Sequence, residues 1–254
     1  MNAAALAASA ELAESLAAPV DPREILVRLS SLKEMERSPL HYWQACQDDR
    51  DETLSMRLGA GAHAELFGKP TKEYKGRRAG EKWEKFAAEH ADKIILNTRE
   101  MAEARGMADA VRRNPLAMRV LADTVQEETI HWTYANRACR STPDARSRLH
   151  VVEFKTCQSS EPSKFLKDAF WRRYHAQLAF YTDAMIAAGD DPMEAYIIAV
   201  ENSAPYATSV LRLTDRALEH GRTLYRQWFE RLLECEAKNE WPSYSSDVLS
   251  FDVE

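Results

Sequence analysis

The chain is 254 residues long, 45% of them hydrophobic, and it carries a formal net charge of −6 at pH 7. That length and composition can bury the core of one α/β domain, and no apolar run is long enough to cross a membrane. The acidic balance excludes a protein that attracts polyanions through net charge alone. Any polyanion contact must therefore depend on where the basic residues lie.

Hydrophobic periodicity and breaker residues divide the chain into helices and strands. Residues 1–20 are expected to form a loose tail or a short helix without the basic leading region of a secretory signal, and residues 21–254 one domain. Helices are predicted at 22–36, 53–67, 81–90, 98–112, 115–123, 163–188 and 214–238. Strands are predicted at 126–136, 139–144, 148–156, 193–201 and 206–213. Asn114-Pro115 and Thr214-Asp215 mark two helix starts. This order predicts an α/β fold with a mixed central sheet flanked by helices.

The most informative stretch is STPDARSRLHVVEFKTC, in which Asp144 precedes a strongly β-forming run that contains Glu153 and Lys155. Side chains alternate along a strand, so Glu153 and Lys155 project from the same face. A short reversal near Ser147-Arg148 would return the chain and set the Asp144 carboxylate beside that of Glu153. The spacing therefore predicts two carboxylates and a lysine at one place on the sheet.

This set of groups suits the hydrolysis of phosphodiesters with a divalent metal. Hard cations such as Mg²⁺ or Mn²⁺ prefer oxygen ligands, which the two carboxylates and the Phe154 carbonyl would supply. Lys155, with a lowered pKa, would orient or deprotonate water or stabilise the transition state. The alternative is an ordinary charged pair on a solvated strand face.

A second pattern follows in the predicted helix AFWRRYHAQLAFYTDAM. Five of its residues share one helical face: Phe170, Tyr174, Gln177, Tyr181 and Met185. Gln177 on this stripe could reach the active-site lysine or a phosphate. The alternative is an amphipathic core helix with a polar residue at its margin.

Together, Pro143-Asp144, Glu153-Phe154-Lys155 and Gln177-x-x-x-Tyr181 resemble the PD-(D/E)XK (restriction-endonuclease-like) nuclease superfamily in its RecB-like branch. LSMRLGAGAHAELFGKP resembles that branch's early helix, whose histidine faces the metal site, and His63 is the matching residue. Without the resemblance, a histidine at this position is more often a satisfied helix histidine than a metal ligand. The resemblance implies metal ligands at Asp144, Glu153, the Phe154 carbonyl and His63. It implies that Gln177 positions Lys155 or phosphate, and that Tyr181 buttresses its helix or touches DNA.

Within the superfamily, residues 25–245 are most similar to phage and prophage RecE-type exonucleases (exodeoxyribonuclease VIII-like) and also to lambda exonuclease. This resemblance implies a Mg²⁺- or Mn²⁺-dependent exonuclease that digests linear double-stranded DNA from 5′ to 3′ and leaves a 3′ single-stranded overhang. It further implies a bacterial or phage-encoded cytoplasmic protein, a homo-oligomeric ring, no membrane association and a RecT/Bet-like single-strand annealing recombinase as partner. An endonuclease or nickase with the same centre and a non-catalytic DNA-binding module remain alternatives.

Basic residues cluster in two segments despite the acidic total. The residues expected to face the DNA backbone are Lys69, Lys72, Arg77, Arg78, Lys164, Lys167, Arg172 and Arg173. The alternative is two solvated faces. Ser38 to Tyr42 with Arg37 could grip a terminal phosphate, or could be a helix start packed in the core. The four cysteines are scattered, so no zinc site and no iron–sulfur cluster are expected.

Overall fold

A five-stranded mixed sheet forms the centre of the molecule, for which a computed structural model describes residues 21–47, 52–244, 248 and 250. The strands are β1 Thr71–Glu73, β2 Ile94–Leu96, β3 Val125–Gln126, β4 Ile130–Tyr134, β5 Arg137–Ser141, β6 Ala145–Arg146, β7 His150–Cys157, β8 Glu194–Glu201 and β9 Thr208–Arg212. The central order is β3-β6-β7-β8-β9, with β7 and β8 parallel and the other neighbours antiparallel. β1–β2 and β4–β5 form two-stranded sheets of their own.

Helices cover both faces of this sheet, which confirms the predicted fold class. They are α1 Leu29–Leu32, α2 Pro39–Gln47, α3 Leu54–Phe67, α4 Glu81–Glu89, α5 Thr98–Arg113, α6 Pro115–Leu121, α7 Pro162–Trp171, α8 Tyr174–Ala187 and α9 Asp215–Lys238. The expected alternation along β7 holds. Val152 and Phe154 pack with Ala62 of α3, whereas Val151 packs in a separate cluster with Phe180 of α8. Glu153 and Lys155 therefore belong to the strand face that carries Val151.

Two predicted helices are wrong as single elements. The one at 22–36 is interrupted because Val27 bridges in parallel to Cys139, and the helix begins only at Leu29 after a 3₁₀ turn over Pro22–Glu24. The one at 163–188 breaks at Arg173, whose φ of 61° is left-handed. In both places a tertiary contact outweighs helix periodicity: the strand-like bridge at Val27, and the Arg173–Glu36 ion pair.

The strands differ from prediction where the chain changes sheet. The predicted strand 126–136 is divided into β3 and β4 at Glu127, whose φ is 50°, and the predicted strand 139–144 ends as β5 at Ser141. Strands β1 and β2 were not predicted, because three-residue strands carry little periodicity. Helix α2 begins at Pro39 and buries Tyr42, which agrees with the alternative of a helix start packed in the core. Both predicted helix starts are confirmed, since the side chains of Asn114 and Thr214 accept backbone N–H bonds.

Within the described ranges, no helix is at once long and apolar enough to traverse a bilayer. The predicted tail at 1–20 lies outside the described residues.

A pair of hydrogen-bonded histidines links α8 to α9 and makes stability depend on pH. His175 is 8% exposed and its Nε2 lies 3.0 Å from Nδ1 of His220. Desolvation, then the charge of His220, lowers the pKa of His175 from 6.5 to about 4. Between those two values the unfolded chain binds the extra proton at His175, so the contribution of His175 to stability should fall as pH falls from 6.5 to 4, by no more than about 3 kcal/mol. Glu153, whose pKa is raised to about 7, acts in the opposite direction over much of this range.

Urea unfolding across this pH range measures the effect. Relative to wild type, His175→Gln should gain stability as pH falls from 6.5 to 4, while His131→Gln, at an exposed position on β4, should follow the wild-type curve. Parallel pH profiles for wild type and His175→Gln would contradict the assignment.

Candidate active site

The sheet brings Asp144 and Glu153 together as the sequence predicted. β6 and β7 pair antiparallel with Ala145 opposite Val152, and the reversal between them is closed by a Ser147 N–H bond to the His150 carbonyl of 2.9 Å. The Phe154 N–H donates to Asp144 Oδ2 at 2.7 Å, and the Asp144 N–H lies 3.4 Å from Glu153 Oε1. These bonds hold the carboxylate of Asp144, just before β6, beside that of Glu153 in the middle of β7.

Lys155 completes this group. Its Nζ donates to Glu153 Oε2 at 2.5 Å and lies 5.0 Å from the centre of the Tyr174 ring. Burial opposes the charge on Lys155, but attraction to Glu153 and Asp144 outweighs burial and raises its pKa. The lowering predicted for Lys155 applied to a lysine near a bound metal; in the chain by itself, the two nearby carboxylates favour the ammonium form.

The carboxylates differ from each other in ionisation. Desolvation, then the nearby Asp144 charge, raises the pKa of Glu153 to about 7. Burial also opposes ionisation of Asp144, yet the hydrogen bond to His63 and the charge of Lys155 outweigh it and lower the pKa. Two acids in one buried place with opposite shifts are characteristic of functional sites.

His63 reaches this site from α3, as the resemblance implied. Its Nε2 lies 2.9 Å from Asp144 Oδ1, and its Nδ1 lies 3.2 Å from Glu127 Oε1. The ring therefore stands between two carboxylates, and the neutral imidazole can donate to only one of them. The hydrogen bond to Asp144 needs the proton on Nε2. A cation held at Nε2 would instead require the proton on Nδ1, where Glu127 could accept it.

Glu127 is a residue that sequence reasoning missed. Besides its contact with His63, its N–H donates to the Asp144 carbonyl at 3.1 Å, and its Oε2 binds Lys69 Nζ at 2.5 Å. Its left-handed φ of 50° is uncommon for a residue other than glycine. The detectable signal was the acidic pair Glu127-Glu128 inside a predicted strand.

Removing the Glu127 carboxylate should loosen His63 and weaken divalent-cation binding. Groups that orient a metal-binding histidine through its second nitrogen typically contribute ten- to a hundredfold in affinity. We expect Glu127→Gln to lower Mn²⁺ affinity by about tenfold, measured by calorimetric titration of the full chain. Glu128→Gln, whose side chain pairs instead with Arg146, should bind as wild type. Equal Mn²⁺ affinity in the two variants would refute this role.

Gln177 and Tyr181 lie beside Lys155, but they bond to each other. Gln177 Nε2 donates to Tyr181 Oη at 3.1 Å, and both line a cavity of about 380 Å³ with Lys155. Burial, then the charge of Glu153, raises the pKa of Tyr181. Phe170, predicted on the same stripe, lies on α7 and is half exposed, because the helix breaks before Tyr174.

Lys155 and Tyr174 separate two cavities. The one of about 380 Å³ has a cationic lining that includes Arg28, Lys33, Arg140, Arg172 and Arg173. The other, of about 550 Å³, opens on the side of α3 and is lined by His63, Asp144 and Phe154 among others. The two cavities therefore lie on either side of the Lys155 and Tyr174 side chains.

The donor set fits a divalent cation in its chemistry. Within residues 21–47 and 52–244, no three His, Cys, Asp or Glu side chains are gathered to hold an ion as they stand. Asp144 Oδ2 accepts from Phe154, and Glu153 Oε2 accepts from Lys155. However, buried Glu153 and partly buried Asp144 form an anionic site that a cation would stabilise, since the charge of Asp144 helps to raise the pKa of Glu153.

The predicted DNA-facing residues have different surroundings. Arg78 is bonded to buried Glu100 at 2.7 Å and to the Ile95 carbonyl, which gives it a structural role within the β1–β2 region. Arg173 pairs with Glu36 and Lys69 with Glu127. The others have side chains at or near the surface: Lys72, Arg77, Lys164, Lys167 and Arg172. Arg37 to Tyr42 line neither cavity, and Tyr42 is fully buried against Trp241.

A mixed sheet that brings an aspartate just before one strand beside a glutamate and a lysine within the neighbouring strand defines a PD-(D/E)XK-like fold. Over residues 29–251 the chain matches the model of the family described as PDDEXK-like domain of unknown function (DUF3799), and the chain belongs to this family. The family is one of nuclease-like domains.

One solved structure with a TM-score above 0.5 supports the fold. The chain is similar to a candidate exonuclease from Eubacterium rectale, with a TM-score of 0.65 and 12% identity over 89% of this chain and 90% of that chain. A phage-related exonuclease from Haemophilus somnus aligns over 83% of this chain and 96% of that chain, with 14% identity and a TM-score of 0.35. No curated protein gives a significant match.

Proposed function

We propose that this protein is a Mg²⁺- or Mn²⁺-dependent exodeoxyribonuclease of RecE type that degrades linear duplex DNA from 5′ to 3′. The observation that carries the proposal is the joining of Asp144, Glu153 and Lys155 around the Phe154 backbone, between two cavities. The polarity and the resulting 3′ overhang rest on the resemblance to RecE-type exonucleases.

Asp144, Glu153, the Phe154 carbonyl and His63 would hold the cation. When bound, a divalent cation neutralises phosphate charge and acidifies water. Lys155, charged and fixed by Glu153, would stabilise the negative charge that develops on the phosphorus oxygens. Gln177 would position phosphate at the cavity wall that it shares with Lys155.

The cationic cavity favours an exonuclease over an endonuclease. A terminal 5′-phosphate carries more charge than an internal phosphodiester, and five basic side chains line a pocket of about 380 Å³ beside Lys155. Arg28→Ala with Arg140→Ala should therefore reduce the preference for 5′-phosphorylated over 5′-hydroxyl ends by about tenfold. Digestion rates of the two substrates measure this preference. Arg216→Ala, exposed at the start of α9, is the matched control.

One gel tests the function itself. Linear duplex labelled at either the 5′ or the 3′ end, beside supercoiled plasmid, is incubated with and without Mg²⁺. The proposal expects Mg²⁺-dependent release of the 5′ label first and an intact plasmid. Cutting of the plasmid would favour an endonuclease or nickase, and the absence of turnover would favour a non-catalytic DNA-binding module.

The further parts of the proposal are a ring-shaped homo-oligomer acting in the cytoplasm of a bacterium or infected cell, and a single-strand annealing recombinase as partner. Enclosure of the duplex would keep an acidic subunit on DNA without strong net attraction. Light scattering of the purified protein measures the number of subunits. A monomer that digests DNA processively would contradict the proposed ring-shaped oligomer.

A further inference from the structure

One exposed face of α7 combines lysines with a tryptophan. Lys164, Lys167 and Trp171 follow each other at intervals of three and four, so they lie on the same side of the helix. Asp168 shares this side, which leaves two lysines and one aspartate, a net charge of +1. Trp171 is 72% exposed, an unusual state for so large an apolar side chain.

The Trp171 ring is held in place although it is exposed. The Arg173 guanidinium lies 5.7 Å from the ring centre, and Glu36 holds that guanidinium through two bonds of 3.0 Å to Arg173 Nε. Phe170 contacts the ring edge-on, with centres 5.9 Å apart and planes at 79°. An aromatic surface held by a fixed cation on a rigid helix end loses little freedom when a planar ligand stacks on it.

The exposed face of α7 ends at the proposed active site. Trp171 is the last residue of α7, and the next two residues, Arg172 and Arg173, line the cationic cavity together with Lys155. A strand lying along α7 would therefore run from the two lysines, over Trp171, to the cavity that contains the lysine at position 155.

We propose that the face formed by Lys164, Lys167 and Trp171 binds an unpaired DNA strand, with one nucleobase stacked on Trp171 and phosphates at the lysines. Flanking cations match a polyanion, and the flat face of a base is open to stacking only when the base is unpaired. This inference rests on the proposed function, since the bound strand is one that continues to Lys155.

DNA binding by the face of Lys164, Lys167 and Trp171 can be measured in EDTA, which removes divalent cations and so prevents hydrolysis. The full chain is titrated into fluorescein-labelled oligothymidylate of about twelve nucleotides, and anisotropy is followed at several salt concentrations. Trp171→Ala should lower affinity about tenfold with an unchanged salt slope, since stacking involves no counterion release. Trp171→Phe should keep most of the affinity. Lys164→Ala with Lys167→Ala should lower affinity and reduce the salt slope by about one.

Leu166→Ala is the matched control. Leu166 is 56% exposed on the same helix but belongs to the neighbouring apolar face beside Phe170 and His220, so its loss should leave affinity within about twofold. Blunt duplex affinity should change less than oligothymidylate affinity in Trp171→Ala. The inference would be overturned if Trp171→Ala bound oligothymidylate with wild-type affinity. It would equally be overturned if Trp171→Ala changed the oligomeric state and left DNA binding unchanged, because Trp171 would then serve contacts between subunits.

Turnover measured on the same preparations separates the two proposals. If the wild-type protein digests DNA in Mg²⁺ and Trp171→Ala binds single strands as wild type does, the proposed function stands and the DNA-binding role of the α7 face is rejected. If the wild-type protein binds single strands through Trp171 but never digests DNA, the α7 face stands as a DNA-binding surface and the nuclease function is rejected.

Discussion

Lys155→Ala should lower the digestion rate of linear duplex by a hundred- to a thousandfold, about the effect of removing one donor that stabilises transition-state charge. The Lys155 ammonium is fixed by a 2.5 Å bond to Glu153 and opens on both cavities, so no neighbouring group has the same reach. Initial rates on linear duplex in Mg²⁺ provide the measurement.

Because the side chain of Lys155 is largely buried, its truncation could also disturb packing. Lys155→Met keeps the aliphatic length without the charge and should lose activity equally, with thermal unfolding recorded for both variants. Lys238→Ala, at an exposed position on α9, should digest at the wild-type rate. A folded Lys155→Met protein with wild-type activity would remove the proposed mechanism.

Asp144→Asn should abolish both Mn²⁺ binding and digestion, with a loss of affinity of at least about a hundredfold. The asparagine oxygen can still accept the Phe154 N–H bond that Asp144 now accepts at 2.7 Å, so β6 and β7 should keep their relative positions. What disappears is the charge that attracts a cation. Calorimetric titration with Mn²⁺ reports binding independently of catalysis.

Asp191→Asn is the matched control, since Asp191 is exposed in the turn before β8. It should bind Mn²⁺ and digest DNA as wild type. If Asp144→Asn bound Mn²⁺ with unchanged affinity, the cation would have to be held elsewhere, and Asp144 would serve only to join the strands through Phe154.

Local sequence determined the part of the site that lies within one pair of strands. Alternation along β7 placed Glu153 and Lys155 on one face, and the short distance to Asp144 allowed a single reversal to join it to Glu153. These relations depend on strand period and chain length, which are properties of consecutive residues. The helix caps at Asn114 and Thr214 could also be predicted from the sequence, because each side chain bonds to backbone N–H groups only two or three residues later.

Tertiary structure decided everything that depends on residues distant in the chain. Glu127 became part of the site because β3 ends beside Asp144 and α3 brings His63 to it. Arg78 left the predicted DNA surface because Glu100 neutralises it, and the break at Arg173, held by Glu36, turned a predicted continuous helix into a cavity wall beside an exposed tryptophan. The ion pairs Arg78–Glu100 and Arg173–Glu36 join residues of separate elements, so no periodicity along the chain can reveal them.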